Sequence, residues 1–285
     1  MISRIATALA IAGLLAGTAP VSAQEQPVPQ APALGPDGVP EPPAQAVRKG
    51  QLPSVLIILA HPDDEIMLGP VIYRFAREGG DVRVIFATSG DAGPGISGME
   101  PGQELAEARE NEARCAAFAL GIDEPEFWKL GDGTLATNAR ADRSSAKQAL
   151  GMIAEAIALT KPDVVMTWGP DGGYGHADHR TISALVTQVI GSMTKRRPDL
   201  LYTAIPQTDE DALPEFESWA ATHPDLLTDR IRYEPVDLNA AQAALSCYQS
   251  QFSESERAAL IPMLHRQVWR GALHFRLAFP NAARE

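Results

Sequence analysis

Between residues 53 and 206 two hydrophobic periods take turns, and no other property of this chain limits its fold as much. SVLIILA (54–60) is an unbroken apolar run, the pattern of a strand buried on both faces. IMLGPVIYRFAREGG (66–80) follows with helical spacing and stops at a glycine pair. The exchange repeats: DVRVIFATS, EPEFWKL, PDVVMTWG and DLLYTAIP read as strands. ELAEARENEARCAAFALG, SSAKQALGMIAEAIALT and ADHRTISALVTQVIGSM read as the helices between them. Strand–helix alternation predicts an α/β fold, a Rossmann-like, mostly parallel sheet with helices on both faces in a single domain. Further on, RIRYEPVDL reads as an added strand, while NAAQAALSCYQSQF and ESERAALIPMLHRQVWRG read as helices.

The residues before this pattern cannot belong to its core. Met1 to Ala23 has the layout of a secretory signal peptide: Arg4, a short apolar core from Ile5 to Ala16, and Val21-Ser22-Ala23 as a cleavage site before Gln24. Residues 24–50 are rich in Pro, Ala and Gln and read as an extended, disordered tether. Residues 51–285 are left as one domain. A periplasmic or secreted location is therefore expected, with no stable membrane insertion after cleavage, since no later stretch is long and apolar enough to span a bilayer. The formal charge of −12 argues against nucleic acid as a partner. The two cysteines, Cys115 and Cys247, fall in expected helices with no distance given between them, and are read as buried thiols rather than a disulfide.

In open α/β sheets the loops at the carboxyl ends of the strands form the ligand crevice. Here those loops are HPDDE (61–65), TSGDAGPGISG (88–98), GDGTLATN (131–138) and WGPDGGYGHADH (168–179), all polar and mostly rich in Gly and Asp. Two histidines and a carboxylate are a common catalytic zinc set with one open position. His61, Asp64 and one of the pair His176 and His179 can supply it. The two later histidines, three apart at a helix start, either share a face or divide the work between metal and substrate. Asp63, beside a ligand, is placed to act as a base. Glu65 has two readings: an acid at the N-terminus of the next helix, or a group that orients a ligand.

AHPDDE after the first strand and GHADH after a later one, supported by TSGDAG, AREN, PDVVMTWGPDGGYGHADH and CYQSQ, resemble the PIG-L/LmbE-like family of zinc-dependent de-N-acetylases over roughly residues 53–252. The resemblance implies that His61, Asp64 and His179 bind zinc, with iron(II) suited to the same donors. It implies Asp63 as general base and His176 as the group that stabilises the oxyanion or protonates the amine. It implies Arg109 and Asp132 as substrate-sugar contacts, although Arg109 also has Glu104, Glu107 and Glu112 within helical reach. Two positions depart from the family pattern: Tyr248, where a His is common, and Ala241, near which a Lys is common.

The expected activity is thus a zinc-dependent hydrolase that removes a small N-acyl group from an amino sugar or related amide outside the cytoplasm. Its partner would be a small-molecule or glycan substrate bearing an N-acyl amine. Export argues against a cytosolic thiol-biosynthesis role. The alternative is a metal-bearing glycan-binding module without turnover, which would have no need of Asp63. A nucleotide-binding protein would carry a Gly-rich fingerprint after the first strand, where this chain has acids.

Overall fold

The structure is a computed structural model that describes residues 52–207 and 219–279. The expected signal peptide (1–23) and tether (24–50) lie outside those residues. The strands are β1 (Val55–Leu59), β2 (Val82–Phe86), β3 (Glu126–Phe127), β4 (Val164–Thr167), β5 (Asp199–Pro206), β6 (Ala221–Thr222), β7 (Asp229–Arg232) and β8 (Ala272–Leu277). The helices are α1 (Gly69–Arg77), α2 (Gln103–Ala119), α3 (Ser145–Thr160), α4 (Ala177–Ser192), α5 (Pro235–Leu245) and α6 (Glu254–Leu264).

One mixed sheet runs in the order β3-β2-β1-β4-β5-β8-β7, with β6 added beside β5. β1 to β5 are mutually parallel; β8 runs antiparallel to both β5 and β7. Every residue of β1 and β4 is buried, as their unbroken apolar sequences require of central strands. Right-handed crossovers then place α1 and α2 on one face of the sheet and α3 and α4 on the other. Among the described residues no helix is long and apolar enough to cross a membrane.

The later part of the chain differs from the pattern read in the sequence. RIRYEPVDL divides: the strand stops at Arg232, and Pro235 opens α5 at a position where its missing N–H costs nothing. The closing strand β8 follows a turn at Gly271 (φ +92°) and gives the parallel sheet an antiparallel margin. The cysteines require a correction. Cys115 on α2 and Cys247 just beyond α5 form a disulfide, with Cα atoms 5.8 Å apart across 132 residues of sequence. The packing of α2 against α5 brings them together, a proximity that helical periodicity does not encode.

The strand order reverses beside β1, whose neighbours are β2 on one side and β4 on the other. That is the switch point at which an open α/β sheet leaves a crevice. The HPDDE and GHADH loops leave the carboxyl ends of the two strands that flank it.

Candidate metal centre

Asp64 opens a short 3-10 turn (Asp64–Leu68) directly after β1, and its two carboxylate oxygens have different surroundings. Oδ2 accepts three hydrogen bonds at 3.0 Å, from the backbone N–H groups of Ala60 and His61 and from Trp168 Nε1. Oδ1 faces His179 Nε2 at 3.0 Å. Burial works against the charged form of Asp64, but His179, His61 and the Trp168 N–H hold its pKa well below the usual carboxylate range.

His179 is fully buried in the first turn of α4. Its Nδ1 lies 3.1 Å from the carbonyl of Gly172, to which it donates, so Nε2 carries a lone pair. The Trp168 indole lies flat on this ring, centroid to centroid 4.5 Å and 6° from parallel. His61 Nδ1 stands 3.2 Å from His179 Nε2. The other nitrogen of His61, Nε2, lies 3.0 Å from Asp132 Oδ1 and 3.5 Å from Asp178 Oδ2, close but without the alignment of a formed hydrogen bond. Two carboxylates on that side draw the ring proton to Nε2 and turn the Nδ1 lone pair inward.

Three lone-pair atoms therefore converge: His61 Nδ1, His179 Nε2 and Asp64 Oδ1. Tetrahedral zinc with bonds of about 2.0–2.1 Å needs donors separated by about 3.3 Å; the two separations that involve His179, 3.2 and 3.0 Å, are close to that, while His61 Nδ1 lies 4.0 Å from the Asp64 carboxylate, at Oδ2. With both tautomers fixed from outside, nothing but a cation or an extra proton relieves the repulsion between the lone pairs. Without a metal the proton goes to His61. Burial opposes its charge, but Asp132, Asp178 and Asp64 push its pKa up to about 10. The residues present fit a divalent metal ion.

Asp63 stands beside this cluster in an uncommon backbone conformation, φ 98° and ψ −20°. Arg109 holds the bend. From α2 its Nη2 donates to Pro62 O at 2.7 Å and to Asp63 Oδ2 at 3.1 Å, and its Nη1 to the carbonyls of Gly90 and Gly93 at 3.1 and 3.2 Å. Gly90 has to be glycine: a Cβ there would lie 2.3 Å from Nη1, and its φ is +68°. Burial lifts the Asp63 pKa to about 6, although Arg109 opposes the rise. The next acid, Glu65, is 3% exposed. It accepts the Asp63 N–H through Oε2 at 3.1 Å and the Tyr248 hydroxyl through Oε1. Burial pushes Glu65 up to about 8 against the donation from Tyr248.

His176 caps α4. Its Nδ1 accepts the Asp178 N–H at 3.2 Å, which leaves Nε2 as its donor. Its ring lies 4.7 Å from that of His61 and 4.8 Å from that of His179. Burial and the two neighbouring histidines lower its pKa, so it stays neutral more readily than a free imidazole. One nitrogen from each of the three histidines lies within 4.8 Å of the others, so His176 is close enough to reach a metal or its substrate. Tyr174, half-exposed, stands with its ring 5.1 Å from those of His179 and Trp219.

His61, Asp63, Asp64, His176 and His179 thus meet at one point. Arg109 is close to them but buried, with its guanidinium spent on Asp63 and three carbonyls rather than on Glu104, Glu107 or Glu112. Asp132 is also largely buried, facing His61. Sequence reasoning passed over Asp178, which is fully buried: its Oδ2 accepts from Gly133 N at 2.7 Å and its Oδ1 from Leu135 N at 3.2 Å, fastening the 131–135 loop to α4. It also passed over Trp168. An acid between two candidate ligands, and an indole at the end of a strand that feeds the site, were the available signals.

Residues 56–190 match the PIG-L family, described as GlcNAc-PI de-N-acetylase. A relative from Mycolicibacterium vanbaalenii, 1D-myo-inositol 2-acetamido-2-deoxy-alpha-D-glucopyranoside deacetylase, is 30% identical over 234 residues, covering 70% of this chain and 81% of its own. The chain spans about half the length, 55%, of other curated relatives of that description. Among solved structures, the 4-carboxy-2-hydroxymuconate hydratase GalB from Pseudomonas putida superposes with a TM-score of 0.57 at 18% identity, covering 81% of this chain and 98% of its own. The N,N'-diacetylchitobiose deacetylase from Pyrococcus horikoshii superposes with a TM-score of 0.56, also at 18% identity, covering 79% of this chain and 83% of its own. A deacetylase and a hydratase share this architecture, so the structural likeness speaks for the fold and the site must speak for the chemistry. On sequence, with the fold in agreement, the chain belongs to the PIG-L family, the LmbE-like deacetylases.

Proposed function

We propose that this protein is a zinc-dependent amidohydrolase that removes the acetyl group, or another small acyl group, from an N-acylated amino sugar outside the cytoplasm. One observation carries the reading: three lone-pair atoms, on His61, Asp64 and His179, converge on a point that Asp63 adjoins without being drawn into it. A binding module would need the first three but not a raised carboxylate beside them. The relatives named above as deacetylases of acetamido sugars support the substrate class. The disulfide supports the location, because such bonds persist in oxidising compartments, and the expected leader at residues 1–23 agrees with it.

A divalent cation held by His61, Asp64 and His179 would supply a Lewis acid for the amide carbonyl and for the attacking water. The chain's own groups do the remaining work. Asp63, with a pKa raised to about 6, is ionised at neutral pH and basic enough to take the proton as water attacks. His176 has Nδ1 fixed by the Asp178 N–H and therefore offers Nε2–H. It donates to the carbonyl oxygen as negative charge builds there. The C–N bond breaks, the proton taken up by Asp63 passes to the departing nitrogen, the second water proton follows it, and a carboxylate and a protonated amine leave. Arg109 keeps Asp63 aimed through a charge-assisted bond.

The test is a screen of N-acetylated sugars, N-acetylglucosamine and N,N'-diacetylchitobiose first, against metal-quantified protein, scoring released amine. Asp63→Ala is expected to lose turnover by about 100-fold or more while keeping its metal. Full activity in Asp63→Ala would refute the mechanism. Tight glycan binding with no amine released from any sugar would favour a binding module.

A further inference from the structure

We propose that Glu65 and Tyr248 are positioning residues for Asp63: a buried hydrogen-bonded relay from Tyr248 through Glu65 to the Asp63 amide holds that residue in its left-handed bend beside the metal site. The proposal rests on the reading of Asp63 as the base.

The bend needs support. A non-glycine residue at φ 98° lies beyond the ordinary left-handed basin near +57°. Such conformations cost on the order of 1–3 kcal/mol and persist only where the surroundings over-determine them. The surroundings of Asp63 can be followed atom by atom. Its carbonyl accepts from Ile66 N at 3.1 Å, and Arg109 binds its carboxylate and the preceding carbonyl. Its amide N–H, turned by the bend away from any backbone partner, is met by Glu65 Oε2. Glu65 is held in turn by the Tyr248 hydroxyl at Oε1.

Packing alone does not account for this pair. Tyr248 is fully buried and Glu65 nearly so. A leucine and a phenylalanine would fill similar space without desolvating a carboxyl group and a hydroxyl. What the polar pair adds is directional: one oxygen at a fixed place under one amide. Its far end is anchored as well. Cys247, the residue before Tyr248, is bonded to Cys115 on α2, and Ser250 donates to Glu112 on α2 through its N–H at 2.7 Å and its hydroxyl at 2.6 Å. Arg109 projects from that same helix. Asp63 is therefore gripped twice from α2, by Arg109 at its carboxylate and, through the disulfide-tied turn, by Tyr248 and Glu65 at its amide. This gives a use to the acid that follows the metal-binding pair and to the tyrosine that departs from the family pattern.

Crystal structures of the metal-loaded wild type, Glu65→Leu, Glu65→Gln and Tyr248→Phe would be solved, with kcat and KM measured for amine release from N-acetylglucosamine and metal affinity by chelator competition. In Glu65→Leu and Tyr248→Phe the Asp63 carboxylate should shift by about 1 Å and kcat fall on the order of 10- to 100-fold, with KM and metal affinity unchanged. Glu65→Gln, whose amide oxygen still accepts the Asp63 N–H, should keep Asp63 in place and retain most of the activity. If Glu65→Leu does not fold, Tyr248→Phe, which removes one oxygen atom, carries the test. An unmoved Asp63 in both variants overturns the proposal whatever the substrate; so does a loss of kcat that tracks loss of metal. Wild-type kcat in both variants, with Asp63→Asn inactive, overturns it while leaving the base assignment standing. An active Asp63→Asn removes the base assignment, and the relay with it.

Discussion

Asp64 illustrates how much of the chemistry here depends on single atoms. Its Oδ2 is saturated by three donors and its Oδ1 is turned to His179, so the carboxylate has one oxygen to offer a metal and only one direction in which to offer it. Trp168 sets that direction and also lies flat on His179. Trp168→Phe keeps a ring over the histidine but deletes the N–H to Asp64. Metal affinity should weaken on the order of 10- to 100-fold, measured by competition with a chromogenic chelator; an unchanged affinity would show that the indole only packs. HPDDE and HADH were legible in the sequence as metal-binding residue types in the right loops. Which oxygen, which nitrogen and which tautomer were not, because those depend on donors from other strands: Trp168 is 104 residues from Asp64, and Asp132 is 71 residues from His61.

At the scale of elements, the first four strand–helix exchanges carried enough local pattern to be read, since each element is long enough, or buried enough, for its period to dominate. The exceptions are instructive. β6 has two residues, too few for any period to register, and β3 keeps only two of the seven residues of EPEFWKL. β8 pairs antiparallel between β5 and β7 and so stands outside the alternation of parallel strands and helices. The pairing of α2 with the turn after α5 belongs to this scale too, and so does its prediction. Replacing both Cys115 and Cys247 by Ser frees a loop of 132 residues and should cost about 2–5 kcal/mol, seen as a lower denaturant midpoint than the oxidised wild type. Equal midpoints for the two would mean that helix packing alone holds the turn that carries Tyr248.

For the molecule as a whole, the strand order brings the site together. β1 and β4 are neighbours although 104 residues of sequence, 60–163, lie between them; their carboxyl ends deliver HPDDE and HADH to one crevice. The N-terminal segment bears on the molecule's location, and mass spectrometry of protein recovered from the periplasm or medium should find Gln24 as the first residue. A full-length chain retained in the cytoplasm would argue against export. The sequence by itself determined the alternating architecture, the residue types at the strand ends and the metal chemistry they permit, because these follow from local periodicity and from side-chain donors. The tertiary structure alone decided the disulfide, the burial of Arg109 and Asp132, and the answer to Glu65, whose partners are an amide two residues back and a phenol 183 residues on. Periodicity records which face of an element is buried. It does not record what stands opposite that face, and a buried polar group is defined by what stands opposite it.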